Sequence, residues 1–234
     1  MSGKPDEYHG GAFGERRGRL SEADEDVPYS EDLQSAAGAR TWADAADAKR
    51  PLRLLIRAAI VDRLRALPPG AHVLELGSGP GLLAENVLEA CTQLTNYTLF
   101  DFSEPMLDIS RARLRRFSTT RFVLGDFRAN DWMPLAGGPY EAVVSMQAVH
   151  EVRHKRHVPQ LYQHIYSLLT AGGTFLVADR TPEDDSARSR ALFMTEGEQL
   201  QALTAAGFVD VRALMAGDAL VLCEGRRPAV GNGD

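Results

Sequence analysis

The sequence predicts an α/β fold: a doubly wound, mostly parallel sheet of seven strands with a C-terminal antiparallel hairpin and an N-terminal helical cap. Three observations support this prediction. From residue 71 onward, short apolar strand patterns alternate with helical patterns, as in parallel sheets with right-handed crossovers. A glycine-rich turn directly follows the first strand. The last two strand patterns flank a Gly-Asp turn, which is typical of a hairpin at a sheet edge.

Five strand patterns precede the terminal hairpin. Their sequences are HVLEL, YTLFDFS, RFVLGDF, YEAVVSM and GGTFLVADR, at residues 72–76, 97–103, 121–127, 140–146 and 172–180. Helical patterns lie at 81–90, 105–117, within 155–169, and at 195–208. In the last of these, Thr195 is expected to form a capping box with Glu198, and Gly207 to end the helix. The hairpin is expected within residues 209–227.

Composition divides the chain into three segments. Residues 1–30 are rich in glycine and charge, which predicts a flexible arm. Residues 31–67 predict two helices that form a cap or lid, the second being apolar on a face that includes Leu55. Pro51 is suited to the start of that second helix. Residues 68–227 are expected to form the main domain.

Overall composition excludes several classes of protein. The formal net charge of −6 argues against a broad basic surface for nucleic acid. Cys91 and Cys223 are the two cysteines, too few for a disulfide framework or a cysteine zinc site. The N-terminus lacks a signal-peptide core, and no apolar run approaches the ~20 residues of a membrane helix. We therefore expect a soluble, cytoplasmic protein without a nucleic-acid or membrane partner.

The glycine-rich turn predicts a ligand site. Gly77, Ser78, Gly79, Pro80 and Gly81 lie where the first strand ends, and ligands of open parallel sheets bind at the carboxyl ends of the strands. Glycines allow close approach of the backbone to a ligand, and the following helix presents free N–H groups. The spacing differs from the dinucleotide pattern, so a tight strand–helix turn without a ligand is the alternative.

Two further strand ends favour a nucleoside ligand. Asp101 ends the second strand, where a carboxylate can accept hydrogen bonds from a ribose diol. Asp126 and Phe127 end the third strand, and an aspartate with an aromatic ring can hold an adenine by its amine and its face. Agreement between independent strand ends strengthens the prediction.

These segments together resemble the class I S-adenosylmethionine-dependent methyltransferases of the small-molecule type. The resemblance extends over roughly residues 51–225 and rests on a combination of individually weak motifs. They are ELGSGPG at 75–81, FDFSEPML at 100–107, LGDF at 124–127, YEAVVSMQAVHEV at 140–152 and LLTAGGTFLVAD at 168–179. The resemblance implies a Rossmann-like fold, S-adenosylmethionine as cofactor, and methyl transfer to a small-molecule acceptor.

The resemblance also implies individual roles for residues of this chain. Gly77 and Gly79, in the turn with Ser78 and Gly81, would cradle the methionine part of the cofactor, and Glu75 would lie near its ammonium group. Asp101 would bind the ribose. Met106, Asp126 and Phe127 would lie around the adenine, and Phe102 would also contact the cofactor. Ser145 and Gln147 would line the methyl-transfer channel. For Met106 and Phe127, simple core or wall positions are the alternative.

The segment HEVRH at 150–154 also matches the zincin pattern His-Glu-x-x-His, in which two histidines of one helix bind zinc and the glutamate activates water. Two features argue against a zinc site. The segment directly follows a strand, where a loop or a helix start is expected, and the nearby His157 has the wrong offset for a third ligand. The methyltransferase resemblance instead places His150 and Glu151 beside the substrate pocket, as a general base and its orienting partner. A pocket-wall role for His150 is the alternative.

Three hypotheses follow for the whole chain. The favoured one is methyl transfer from S-adenosylmethionine to a small molecule, at an unidentified O, N or C atom. A non-catalytic protein that binds the same cofactor and a zinc hydrolase are the alternatives. The N-terminal segment is expected to close over the site, where Tyr29 could touch ligand and Trp42 is expected to anchor its helix.

Overall fold

The computed structural model describes residues 25–29, 31–45 and 51–229. Most of the predicted flexible arm, residues 1–30, therefore lies outside the described residues. Within the described ranges, no helix combines the length and the apolar character needed to cross a bilayer.

Seven strands form one sheet, in the spatial order β3-β2-β1-β4-β5-β7-β6. Their bounds are β1 His72–Leu76, β2 Asn96–Asp101, β3 Thr120–Leu124, β4 Tyr140–Met146, β5 Leu169–Arg180, β6 Val209–Gly217 and β7 Leu220–Arg226. Strands β1 to β5 pair in parallel, whereas β7 is antiparallel to both β5 and β6. The predicted fold class, with its terminal hairpin, is confirmed.

The helices that the structure describes are α1 Ala36–Ala45, α2 Leu52–Arg65, α3 Leu82–Ala90, α4 Glu104–Leu114, α5 Trp132–Ala136, α6 Val158–Leu168, α7 Ala187–Leu192 and α8 Glu196–Ala205. The capping box of Thr195 and Glu198 at the start of α8 is present. Helices α5 and α7 were not predicted from the sequence, because they are too short to show a helical period.

Apolar side chains cover both faces of the sheet, as expected of a parallel sheet between two layers of helices. Along β1, Val73 packs into one core with residues of α2 and α3, while Leu74 and Leu76 pack into the other core. Trp132 of α5 and Tyr162 of α6 are fully buried in that second core.

Two strands end earlier than predicted, and one helix buries a different face from the predicted one. Strand β2 ends at Asp101 because the hydroxyl of Ser103 accepts the backbone N–H of Met106 and so begins α4. Strand β3 ends at Leu124, before the predicted Gly-Asp-Phe segment. On α2, Leu55 is 58% exposed, because the buried face of this helix is centred on Ile56 and Ile60 instead.

Chain order reverses between β1 and β4, since β2 and β3 lie on one side of β1 and β4 and β5 on the other. Such a switch point leaves a crevice outside the carboxyl ends of the strands, where open α/β sheets bind ligands. The candidate site lies in this crevice.

Candidate active site

A cavity of about 640 Å³ opens at the switch point, a size typical of small-molecule and cofactor sites. The turn after β1, the ends of β2 and β4, and helices α1 and α2 form its walls. The predicted site residues that line it are Glu75, Gly77, Ser78, Gly79, Asp101, Phe102, Met106, Phe127, Gln147, His150 and Glu151. The fold thus brings eleven of the fourteen predicted residues to one cavity.

The turn after β1 brings bare backbone to the cavity. Gly77 has a φ of +67°, and an added Cβ there would lie 2.2 Å from the Cβ of Ala148. Gly79 has a φ of +52°, and its N–H donates to Oδ2 of Asp101 at 2.7 Å. Both positions need glycine because L-residues rarely adopt this region, and at Gly77 a side chain would also clash.

Asp101 is held in place by backbone donors. Its Oδ1 accepts the N–H of Ser103 at 2.9 Å, and its Oδ2 accepts the N–H of Gly79. Burial raises its pKa to about 6, although these N–H groups favour the charged form. The carboxyl group is thus fixed at the end of β2, where its oxygens can also accept hydroxyl donors of a ligand.

Glu75 lines the cavity and is 2% exposed. The hydroxyl of Tyr97 donates to its Oε2 at 2.8 Å. Burial raises the pKa of this carboxyl group to about 8. A cationic ligand group beside Glu75 would stabilise its charged form.

Two arginines of α2 that were not predicted as site residues line the same cavity. Arg53 is 8% exposed and Arg57 is 4% exposed, and the guanidinium of Arg53 lies 5.5 Å from the ring centre of Trp42. Trp42 lines the cavity as well. No local pattern of the sequence marks the two arginines, because an arginine on a helix usually lies on a solvated face.

Three predicted site residues do not line the cavity. Ser145 is 1% exposed and donates its hydroxyl to the carbonyl of Leu76 at 3.0 Å, so it supports β1 and does not line a channel. Gly81 begins α3 and packs against Ser110. Asp126 lies in an adjoining pocket.

Asp126 is paired with a neighbour two residues along the chain. Its carboxylate accepts the backbone N–H of Arg128 at 2.9 Å and the Nη2 of the same residue at 2.6 Å. Although burial raises its pKa, Arg128 outweighs this effect and holds the pKa below its usual value. The predicted contact of Asp126 with an adenine amine stays a prediction.

His150 is flanked by two carboxylates. Its Nδ1 lies 2.7 Å from Oδ1 of Asp179, and its backbone N–H donates to Oδ2 of Asp179 at 2.8 Å. Its Nε2 lies 3.4 Å from Oε1 of Glu151. Burial lowers the pKa of His150, but the two carboxylates outweigh burial and raise it to about 9. Asp179 was not among the predicted residues.

Glu151 is in turn held by Arg153, whose Nη1 lies 2.9 Å from Oε2 of Glu151. Burial raises the pKa of Glu151, but His150 and Arg153 outweigh burial and hold that pKa below its usual value. The histidine therefore lies in a network of fixed charges.

The zincin geometry is not formed by this segment. Val149–Val152 form a single 3₁₀ turn that ends at Arg153, and His154 precedes a second turn, Lys155–His157. His150 and His154 consequently do not lie on successive turns of one α-helix. In the described part of the chain, no group of three or more His, Cys, Asp or Glu side chains could hold a metal ion.

Residues 26–29 run across the rim of this site. The guanidinium of Arg153 donates to the carbonyls of Val27 and Pro28 at 2.8 and 2.6 Å, and Asp26 pairs with Arg156. Tyr29 stacks on Phe102 with ring centres 5.9 Å apart. The same ring also lies under the guanidinium of Arg153, at 4.6 Å.

Comparison with known proteins finds similarity to methyltransferases. The family described as "Methyltransferase domain" matches residues 73–173. The ubiquinone biosynthesis O-methyltransferase of Xanthomonas campestris pv. campestris strain B100 is 32% identical over 157 residues. That match covers 63% of this chain, and the chain spans 60% of the length of this relative.

Two solved structures share the fold. Human N-acetylserotonin methyltransferase in complex with S-adenosylmethionine superposes with a TM-score of 0.64 and 17% identity, over 84% of this chain and 58% of that one. An O-methyltransferase family protein from Burkholderia thailandensis has a TM-score of 0.64 and 18% identity, over 82% of this chain and 60% of that one. At these identities, the likeness concerns the fold.

Proposed function

We propose that the protein transfers a methyl group from S-adenosylmethionine to an oxygen atom of a small-molecule acceptor, on the premise that residues 73–173 match the family described as "Methyltransferase domain". The relative named above is an O-methyltransferase, and His150 provides a group that can take a proton from a hydroxyl. These two facts favour oxygen over the nitrogen and carbon atoms that the sequence left open.

One observation carries the proposal: Glu75, the turn Gly77–Gly79, Asp101 and His150 line a single cavity at the switch point. These residues fit the cofactor, because the carboxyl of Asp101 suits a ribose diol and that of Glu75 suits an ammonium group. The turn between them lacks the side chains that would fill the cavity. S-adenosylmethionine would supply the electrophilic methyl group there.

The chain itself would then align and deprotonate the acceptor. Holding a nucleophile in line with the methyl group supplies much of the acceleration in such a reaction. Nε2 of His150 would take the hydroxyl proton, while Asp179 holds Nδ1 in the protonated form. Because the pKa of His150 is about 9, the histidine must first lose its resting proton, and a bound cation would favour that loss.

The same proposal includes the domain organisation predicted from sequence: an arm at 1–30, a cap at 31–67 and the methyltransferase domain at 68–227. Arm and cap would exclude water from the site. A cytoplasmic location and the absence of a nucleic-acid partner stay predictions.

Calorimetric titration with S-adenosylmethionine and S-adenosylhomocysteine tests the cofactor. We expect wild-type affinity in the micromolar range, about −8 kcal/mol, and at least about tenfold weaker binding by Asp101→Ala. Asp101→Asn keeps the size of the side chain and guards against misfolding. Asp108→Ala is the matched control, because Asp108 lies on α4 with a side chain that is 68% exposed.

Turnover is tested next, by release of S-adenosylhomocysteine in the presence of a panel of phenols, alcohols and amines. Equal cofactor affinity for wild type and both Asp101 variants would contradict the proposal that Asp101 binds the cofactor. Tight binding without product from any acceptor would favour the non-catalytic alternative.

A further inference from the structure

A second cavity, of about 290 Å³, adjoins the first. His150, Glu151 and Arg180 line both cavities. A methyl acceptor must reach His150 from a side that the cofactor does not fill. The second cavity provides such a space, and its lining therefore bears on the chemistry of the acceptor.

Arg180 lies at the boundary between the two cavities. Its backbone N–H donates to Oδ1 of Asp179 at 2.7 Å, and its guanidinium lies 4.4 Å from the ring centre of Phe193. The Nη2 of Arg180 pairs with Glu183 at 2.5 Å. Its Nε is buried and has no hydrogen-bond partner among the described residues. Native proteins rarely leave a buried donor unpaired, so this N–H is a candidate ligand contact.

Gln147, three residues before His150 in the sequence, carries a second such donor. Its Nε2 is buried without a hydrogen-bond partner among the residues that the structure describes, and the residue lines the first cavity. Its φ is +56°, an uncommon conformation for a residue other than glycine. The backbone N–H of Gln147 donates to the carbonyl of Ala178 at 2.7 Å, which fixes this conformation. Such strain is typically retained at functional sites.

We propose that the methyl acceptor carries a carboxylate close to the atom that is methylated, and that Arg180 and Gln147 bind its oxygens. This inference rests on the proposed function. Both unpaired groups are N–H donors, and the guanidinium is permanently charged. A carboxylate offers the planar pair of oxygens that arginine binds best.

The ion pair with Glu183 does not prevent Arg180 from binding a carboxylate of the acceptor. The ion pair between Arg180 and Glu183 is partly exposed, with side-chain exposures of 35% and 41%, and exposed pairs are weak. It also involves Nη2 and leaves the buried Nε edge to the ligand. Arg180 would thus be a specificity-determining residue, while His150 acts on the hydroxyl.

The test compares hydroxy acids with their uncharged esters. Wild-type protein is titrated with S-adenosylhomocysteine, and the loaded protein is then titrated with the three monohydroxybenzoates, 4-hydroxyphenylacetate and the methyl ester of each. We expect at least one acid to bind at least about tenfold more tightly than its ester, which corresponds to about 1.4 kcal/mol. Arg180→Gln and Gln147→Leu are expected to remove most of this preference.

Arg190→Gln is the matched control, because Arg190 is an exposed arginine of α7 that lines neither cavity. It should retain the preference of the wild type. Each variant is first titrated with S-adenosylhomocysteine, so that acceptor affinities are compared only among loaded proteins.

The two proposals fail in different ways. If wild-type protein does not bind S-adenosylhomocysteine, the proposed function is wrong. If it does bind, the carboxylate site is overturned by equal affinity for acids and esters, by no binding of any acid, or by a preference that persists in Arg180→Gln and Gln147→Leu.

Discussion

One carboxylate binds both the ring and the backbone of His150: Asp179 accepts the backbone N–H at 2.8 Å and lies 2.7 Å from Nδ1. Asp179 is near the end of β5, and His150 follows the adjacent strand β4. The sheet register thus positions the imidazole, and its Nε2 is directed toward Glu151. A histidine oriented in this way can exchange a proton through Nε2.

We expect His150→Gln to lower kcat by about 10²-fold or more, since general-base catalysis typically contributes 10²–10⁴-fold. Asp179→Asn should lower kcat as well, because it removes the charge that fixes the tautomer. Steady-state kinetics with an acceptor found in the turnover screen measures both effects. Unchanged kcat in His150→Gln would instead assign His150 to the pocket wall.

The activity should also depend on pH through His150. Its pKa is about 9, so the basic form increases as the pH rises from 7 to 9, and kcat/KM should rise with it. The carboxylate of Glu151 contributes to this raised pKa. Glu151→Gln should therefore move the rising limb to lower pH. The profile of Glu89→Gln, an exposed change on α3, is expected to match the wild type.

A rising limb at the same pH in Glu151→Gln and wild type would rule out His150 as the group that controls the profile. Measurement of kcat/KM from pH 6 to 10, at several buffer concentrations, separates this effect from buffer catalysis.

The fold could be predicted from the sequence, and the residues of the proposed cofactor site could be singled out, because both depend on local signals. Strand ends, the turn Gly77–Gly79 and Asp101 can each be recognised within a few residues. The pairing of His150 with Asp179 joins positions 29 residues apart, and no local pattern encodes it. It depends on which strands become neighbours in the sheet.

Other differences arise from side-chain choices that a pattern does not specify. The pairing of Asp126 with Arg128, two residues later, was not expected from the sequence. The predicted apolar face of α2 did not distinguish exposed Leu55 from the buried arginines Arg53 and Arg57. Those arginines are buried because the cavity lies beside α2, which is a tertiary fact.

The segment that crosses the rim of the site should contribute to cofactor binding. Deletion of residues 1–30 removes the stacking of Tyr29 on Phe102 and the contacts of Arg153 with the carbonyls of Val27 and Pro28. We expect the apparent Kd of S-adenosylmethionine to rise, because the site becomes more open to water. Tyr29→Ala should produce part of this effect. Unchanged calorimetric affinity and turnover in both proteins would reject a lid function.

Glu75 is expected to lower the stability of the free protein. Its pKa is about 8 in the folded chain and near 4.5 ordinarily. Between these pH values the native state retains a proton that the unfolded chain releases, so the free energy of unfolding falls as pH rises. At pH 7 this loss is on the order of 3 kcal/mol. Glutamine does not ionise, and its amide oxygen can still accept the hydroxyl of Tyr97.

Glu75→Gln should therefore raise the melting temperature of the free protein by several degrees at pH 8, and by much less at pH 5. The same change should weaken S-adenosylmethionine binding, because the cofactor's ammonium group loses a carboxylate partner. Thermal unfolding of wild type, Glu75→Gln and the exposed control Glu89→Gln at both pH values measures the first effect, and calorimetry measures the second. If wild type and Glu75→Gln differ in melting temperature by the same amount at pH 5 and pH 8, Glu75 ionises in the folded protein as it does in the unfolded chain.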